Sequence, residues 1–190
     1  MKHIFTTTLF CFLFITQVCG QTDSKEQYQN KTHILYVNEI YRFNVAVPIS
    51  WKLYGEIKND TTNHRAIVDW GLPQIYSELE EVEIENSISI IAYQKPEINS
   101  VEDVIQLEYL KTNPTETILE IDETNPNVGM IYTSTLSGLK YQGKSYYVFK
   151  DGIGYVITFM ATPGTYNKNI KVFEEFYNDV TFLGPPKSDY

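Results

Sequence analysis

From Ile34 onward the chain alternates apolar and polar positions. Tyr41, Phe43, Val45 and Val47 fall on one side, with Arg42, Asn44 and Ala46 on the other, a period-two strand that Pro48 stops. Pro48 and Trp51 open a second extended run through Ile57, and Asn59 to Asn63 reads as a turn because Asn and Asp side chains satisfy their own backbone. Ala66 to Trp70 predicts a short strand broken at Gly71-Leu72-Pro73. Residues 78–85 alternate again, and Ile88 to Tyr93 continues as a β-branched strand.

The period then changes. Ser100 supplies a helix cap, Glu102 and Asp103 sit at the positive end of the helix dipole, and an apolar face runs from Val101 to Leu110 before Asn113-Pro114 stops it. Three or four strands follow at 116–121, 129–136, 144–149 and 155–161. Asp151-Gly152 between the last two is a strong hairpin signal, since Gly adopts the positive φ the turn requires. A second helix begins near Thr165, with Tyr166, Ile170, Phe173 and Phe176 at helical spacing, and a last short strand, 180–183, ends at Gly184-Pro185-Pro186. Strands punctuated by two separate helices predict an α+β fold: an antiparallel sheet of about six or seven strands with helices packed on its faces, an α-β-α sandwich.

The first twenty residues stand apart. Lys2 and His3 precede an apolar run from Ile4 to Val18, and Val18-Cys19-Gly20 leads into Gln21, the pattern of a secretory signal peptide. A lipid-modified Cys19 is the rival, but Thr16, Gln17 and Val18 leave no small residue directly before the cysteine. The expected organisation is a signal peptide at 1–20, a flexible tether at 21–33, one domain at 34–184 and a tail at 185–190. The expected address is periplasmic or extracellular.

Processing would change the chemistry available. Both cysteines, Cys11 and Cys19, lie in the leader, so the remaining chain would have no disulfide, thiolate metal site or cysteine nucleophile. Loss of Lys2 takes the net charge from −9 to −10, which phosphate backbones and anionic lipid repel. Nucleic acid is therefore excluded as an expected partner, and no later stretch is apolar enough to span a bilayer.

Catalytic constellations are missing from the pattern. His33 and His64 lie in polar, turn-rich sequence with no neighbouring nucleophile motif, and Ser134 and Ser137 lack the glycines of a strained nucleophile turn. Glu81, Glu83 and Glu85 on one side of a strand, about 7 Å apart, offer oxygen ligands for Ca²⁺, but no Asp-rich loop accompanies them, and a solvated sheet face whose carboxylates discourage edge pairing explains them better. No cofactor or metal site is expected. The aromatics are the least ordinary feature, with 15 tyrosines in the whole chain. Tyr146 and Tyr147 must point to opposite faces, so either one aromatic row is exposed or helices cover both. Trp70 beside Gly71 and Pro73, with Tyr76 following, is the expected exposed pair, and His64, Asp69, Trp70 and Tyr76 are the expected contact residues.

Tyr41-Arg-Phe-Asn-Val-Ala-Val-Pro48-Ile-Ser-Trp51, the helix introduced by Ser100-Val-Glu-Asp103, Tyr146 to Phe149 and Gly154 to Phe159 followed by the helical segment 165–181 resemble the PsbP-like family. The resemblance covers about 34–183, and the residues after Gly20 also look like exported bacterial proteins. It implies an α-β-α sandwich and a binding or assembly role without catalytic machinery, engaging another envelope or extracellular protein. The matching motifs are packing motifs, so the residues themselves leave two other readings open: an extracytoplasmic hydrolase using unidentified carboxylates, and a carrier of a small apolar ligand.

Overall fold

The computed structural model describes residues 32–111, 116–136 and 138–184. The expected signal peptide, most of the expected tether, Asn113-Pro114, Ser137 and the expected tail from Pro185 lie outside the described residues. The elements are β1 (His33–Asn38), β2 (Phe43–Pro48), β3 (Lys52–Asp60), β4 (Arg65–Gly71), β5 (Ile75–Ser77), β6 (Val82–Ile84) and β7 (Ser87–Tyr93). Then come α1 (Val101–Lys111), β8 (Thr117–Ile121), β9 (Val128–Leu136), β10 (Leu139–Lys150), β11 (Ile153–Ala161), α2 (Pro163–Asp179) and β12 (Thr181–Phe182).

Seven strands form one antiparallel sheet in the order β3-β4-β7-β11-β10-β9-β8. Alternation assigns each residue to one of two faces. Ile88 and Ile90 of β7, Tyr155, Ile157 and Phe159 of β11 and Trp70 of β4 point to one face, where they pack with Phe173 and Phe176 of α2. Tyr93, Tyr147 and Val156 point to the other, against Val104 of α1. The expected α-β-α layering is thus present. A second sheet, β1-β2-β12, closes the α2 side, with Phe43, Val45 and Val47 of β2 turned into the same core.

Local chemistry fixes the junctions. Asp151 and Gly152 take φ of 50° and 79°, the paired left-handed residues of a type I′ hairpin, so β10 and β11 stay in register over nine pairs. At α1, the Ser100 hydroxyl accepts the Asp103 amide at 3.2 Å, while the Asp103 carboxylate accepts the Asn99 amide at 2.8 Å. At α2, Pro163 stands at the first turn, and Thr162 makes no side-chain cap. Its cap comes from Glu80 instead, whose Oε1 accepts the Gly164 amide at 3.2 Å.

That contact corrects one expectation. Residues 78–85 do not form a strand: Ser77 and Glu80 hydrogen-bond to each other in a turn, Glu81 has a φ of 54°, and only Val82–Ile84 is extended, pairing with β5. Local side-chain hydrogen bonding overrides the alternation. Glu81, Glu83 and Glu85 therefore do not share one side of a strand.

Candidate functional site

The four residues expected to make contacts do not converge. His64 ends the β3–β4 turn with a φ of 49° at the opposite end of β4 from Trp70. Asp69 and Trp70 are neighbours on β4 and so face opposite ways. Trp70 is 4% exposed, against the expectation of a loop aromatic, because β4 runs through Gly71 and puts Trp70 in line with Ala66 and Val68. Tyr76, on β5, is 50% exposed.

Asp69 lies on the α1 side, beyond the helix, where burial pushes its carboxyl above the ordinary range. Its row across the sheet consists of Gly55, Ser89, Thr158, Ser145 and Gly129. Ser145 and Thr158 satisfy each other at 2.7 Å. Beside this row the Tyr54 ring lies over Gly71, and burial together with the Glu85 carboxylate pushes its hydroxyl up to about 12. The arrangement is a shallow polar strip with small side chains as its floor.

The aromatic rows resolve as covered. Tyr147 is 2% exposed on the α1 side. Tyr146 stacks on Tyr177 of α2 at 3.8 Å and 14°, and its hydroxyl donates to Glu174, which also holds Lys144 at 2.6 Å.

A contiguous open apolar surface lies elsewhere, between β1 and β3. Ile34, Leu35, Ile49 and Leu53 are 62%, 62%, 60% and 51% exposed, and they rim a single cleft of about 220 Å³. Its floor is aromatic. Trp51 packs on Phe176 at 5.5 Å, Phe176 meets Trp70 edge-on at 5.6 Å, and Trp70 meets Tyr36 edge-on at 5.3 Å. Burial, and then the neighbouring Glu56 carboxylate, raises the Tyr36 hydroxyl pKa. Pro48 and Trp51 also wall a smaller hollow of about 100 Å³ that ends at Glu175 and Asp179 of α2, so the two hollows adjoin across these residues and are together termed the groove.

Sequence reasoning missed this groove although signals existed. Ile34 and Leu35 are adjacent on a strand, so they cannot both face one core, and Ile49 sits in the turn between Pro48 and Trp51. Two larger hollows are less complete. One of about 470 Å³ lies beside Arg42 and ends where the described chain ends, at Gly184. The other, of about 560 Å³, opens beside Tyr147 and Phe149, where β9 stops short of β10. Among the described residues no group of three or more His, Cys, Asp or Glu is placed to hold a metal ion, and no helix is long and apolar enough to cross a membrane.

No protein-family model matches the chain, and no curated protein matches it. Solved structures do. The chain is similar to PA94, a protein of unknown function from Pseudomonas aeruginosa, at 13% identity over 82% of this chain and 99% of that one, with a TM-score of 0.44. It is similar to cyanobacterial PsbP from Synechocystis at 7% identity over 82% and 95%, with a TM-score of 0.47. A protein from Bacteroides thetaiotaomicron gives 15% identity over 77% of this chain and 46% of that chain, with a TM-score of 0.41.

Proposed function

We propose that the chain is an exported binding or assembly module of the kind its PsbP-like motifs imply, engaging another envelope or extracellular protein through the groove beside Trp51. One observation carries this reading: four large aliphatic side chains, each more than half exposed, rim one cleft on an otherwise layered domain. Contiguous apolar surface of this kind marks interaction sites, whereas scattered exposed aliphatics do not. The export half of the proposal rests on the leader pattern from Lys2 to Gly20.

A carrier of a small apolar ligand would use the same cleft. Its volume of about 220 Å³ falls below the range of roughly 300–1,000 Å³ typical of ligand pockets, and its floor is already filled by ring packing. The space suits one or two side chains of a macromolecule better than an enclosed small molecule.

The test is site-specific photocrosslinking in the native host. A photoreactive residue in place of Leu35 should capture one discrete envelope or extracellular protein, and the same residue in place of Leu110, exposed on α1, should not. Equal capture from both positions, or none from either, would remove the groove as the contact surface.

A further inference from the structure

We infer that the groove takes a cationic, amphipathic segment of the partner, with an apolar side chain entering the cleft over Trp70 and a lysine or arginine lodged between Trp51 and the end of α2. The inference rests on the binding role proposed above and names the chemistry of its ligand. The argument is one of charge.

Helix α2 runs its negative pole toward the groove and has no basic residue in its last turn. Glu175 and Asp179 are one turn apart, so they share a helix face, and both wall the smaller hollow. Among the described residues Glu175 meets only Lys171, at 3.8 Å with both side chains largely exposed, a pairing that water screens. Asp179 has no hydrogen bond or ion pair among the described residues. The negative pole of the helix and two carboxylates, one of them met by the exposed Lys171 and the other by no cation among the described residues, thus stand with the His33 ring beside the half-buried indole of Trp51, and an aromatic face next to carboxylates is a receptor for a cation.

Other occupants fit this charge pattern less well. A neutral apolar segment would cover the carboxylates without pairing them, at a desolvation cost. A second copy would bring two concave clefts and two sets of like charges together across a two-fold axis. An anionic lipid surface would be repelled by the same groups and by the chain's net charge of −9.

The chain has two tryptophans, both in the groove, so fluorescence excited selectively in tryptophan, clear of the 15 tyrosines, reports on this site. Titration of the purified chain with a short peptide alternating leucine and lysine should give a saturable change. The affinity should fall about tenfold in Glu175→Lys/Asp179→Lys and should weaken as ionic strength rises. Leu53→Asp should abolish binding through the apolar half, while the two helix variants keep the test open if that substitution disturbs folding. Equal affinity for a peptide alternating leucine and glutamate would overturn the inference. So would binding to phosphatidylcholine vesicles, or a dimer in sedimentation that Leu53→Asp dissolves. If the leucine–lysine peptide fails while crosslinking from position 35 still captures a protein, the partner chemistry is wrong and the binding role stands. If both fail, the role itself is wrong.

Discussion

The Glu80 carboxylate accepts the amide hydrogen of Gly164 at 3.2 Å, 84 residues further along the chain. A turn between two three-residue strands therefore supplies the cap of α2, the longer of the two helices among the described residues. Burial raises the Glu80 pKa, but hydrogen bonds from Ser77, Gly164 and Thr162 outweigh it, so the net direction is downward. Because the folded pKa lies below the unfolded one, the stabilisation is complete above the unfolded value near 4.3 and disappears as pH falls through the lowered folded value. Glu80→Ala should cost about 1 kcal/mol at neutral pH, as loss of a helix cap does, and the gap to wild type should close in acid denaturant titrations.

Gly154 lies beneath α1, where an added Cβ would come within 2.4 Å of a Val104 methyl. Both Gly154 and Val104 are buried, so neither can move aside cheaply. Gly154→Ala should destabilise by about 1–3 kcal/mol through overpacking. A shifted urea midpoint at constant slope is the expected signature.

Tyr155 donates its buried hydroxyl to the Tyr41 carbonyl at 2.9 Å, tying β11 to the turn before β2. Burial pushes its ionisation up to about 12. The raised folded pKa means its contribution is intact below about pH 10 and lost as pH climbs toward the folded value. Tyr155→Phe should cost about 1 kcal/mol or somewhat more at pH 7 and remove one late-titrating phenol from the absorbance curve near 295 nm.

Thr165 donates to Asn86 Oδ1 at 2.9 Å, and both residues are fully buried. Asn86 Nδ2 already lacks a partner, so the buried amide depends on Thr165 for its side-chain hydrogen bond. Thr165→Val should strand the amide oxygen and cost about 1–3 kcal/mol, seen as a lower thermal midpoint.

Leu53→Ser should behave oppositely to these core changes. The side chain is 51% exposed at the rim of the groove, so stability should change by no more than about 0.5 kcal/mol in thermal unfolding. Capture of the partner from position 35 should nevertheless drop.

Much of this architecture was legible in the chain, because period-two and helical spacings survive wherever one face is buried. Phe43 to Val47 and Phe173 to Phe176 announce themselves in this way, and Asp151-Gly152 names its own turn. The segment 78–85 misled because alternation of Glu with Leu, Val and Ile is a statement about side-chain order. The hydroxyl of Ser77 and the carboxylate of Glu80 decided the backbone instead. Trp70 misled for a related reason: flanking Gly71 and Pro73 mark the end of a strand, and a strand's last inward position is still inside. The adjacency of Ile34 and Leu35 hinted at an open apolar face, but the groove itself could not be read because it needs β1, β3 and the end of α2 in one place. Only tertiary pairing brings His33 and Asp179 to the same hollow.

The small sheet joins the first and last described strands, with β1 on one flank of β2 and β12 on the other. A nascent chain emerging from a ribosome or a translocation pore therefore holds the β1–β2 hairpin without its third member until residue 182 is free. During that interval Phe43 and Tyr155 lack the covering ring of Phe182, which packs on Tyr155 at 4.5 Å. The latch on the aromatic interior is thus a late-arriving segment, and a chain truncated before Thr181 would leave that interior open on this side.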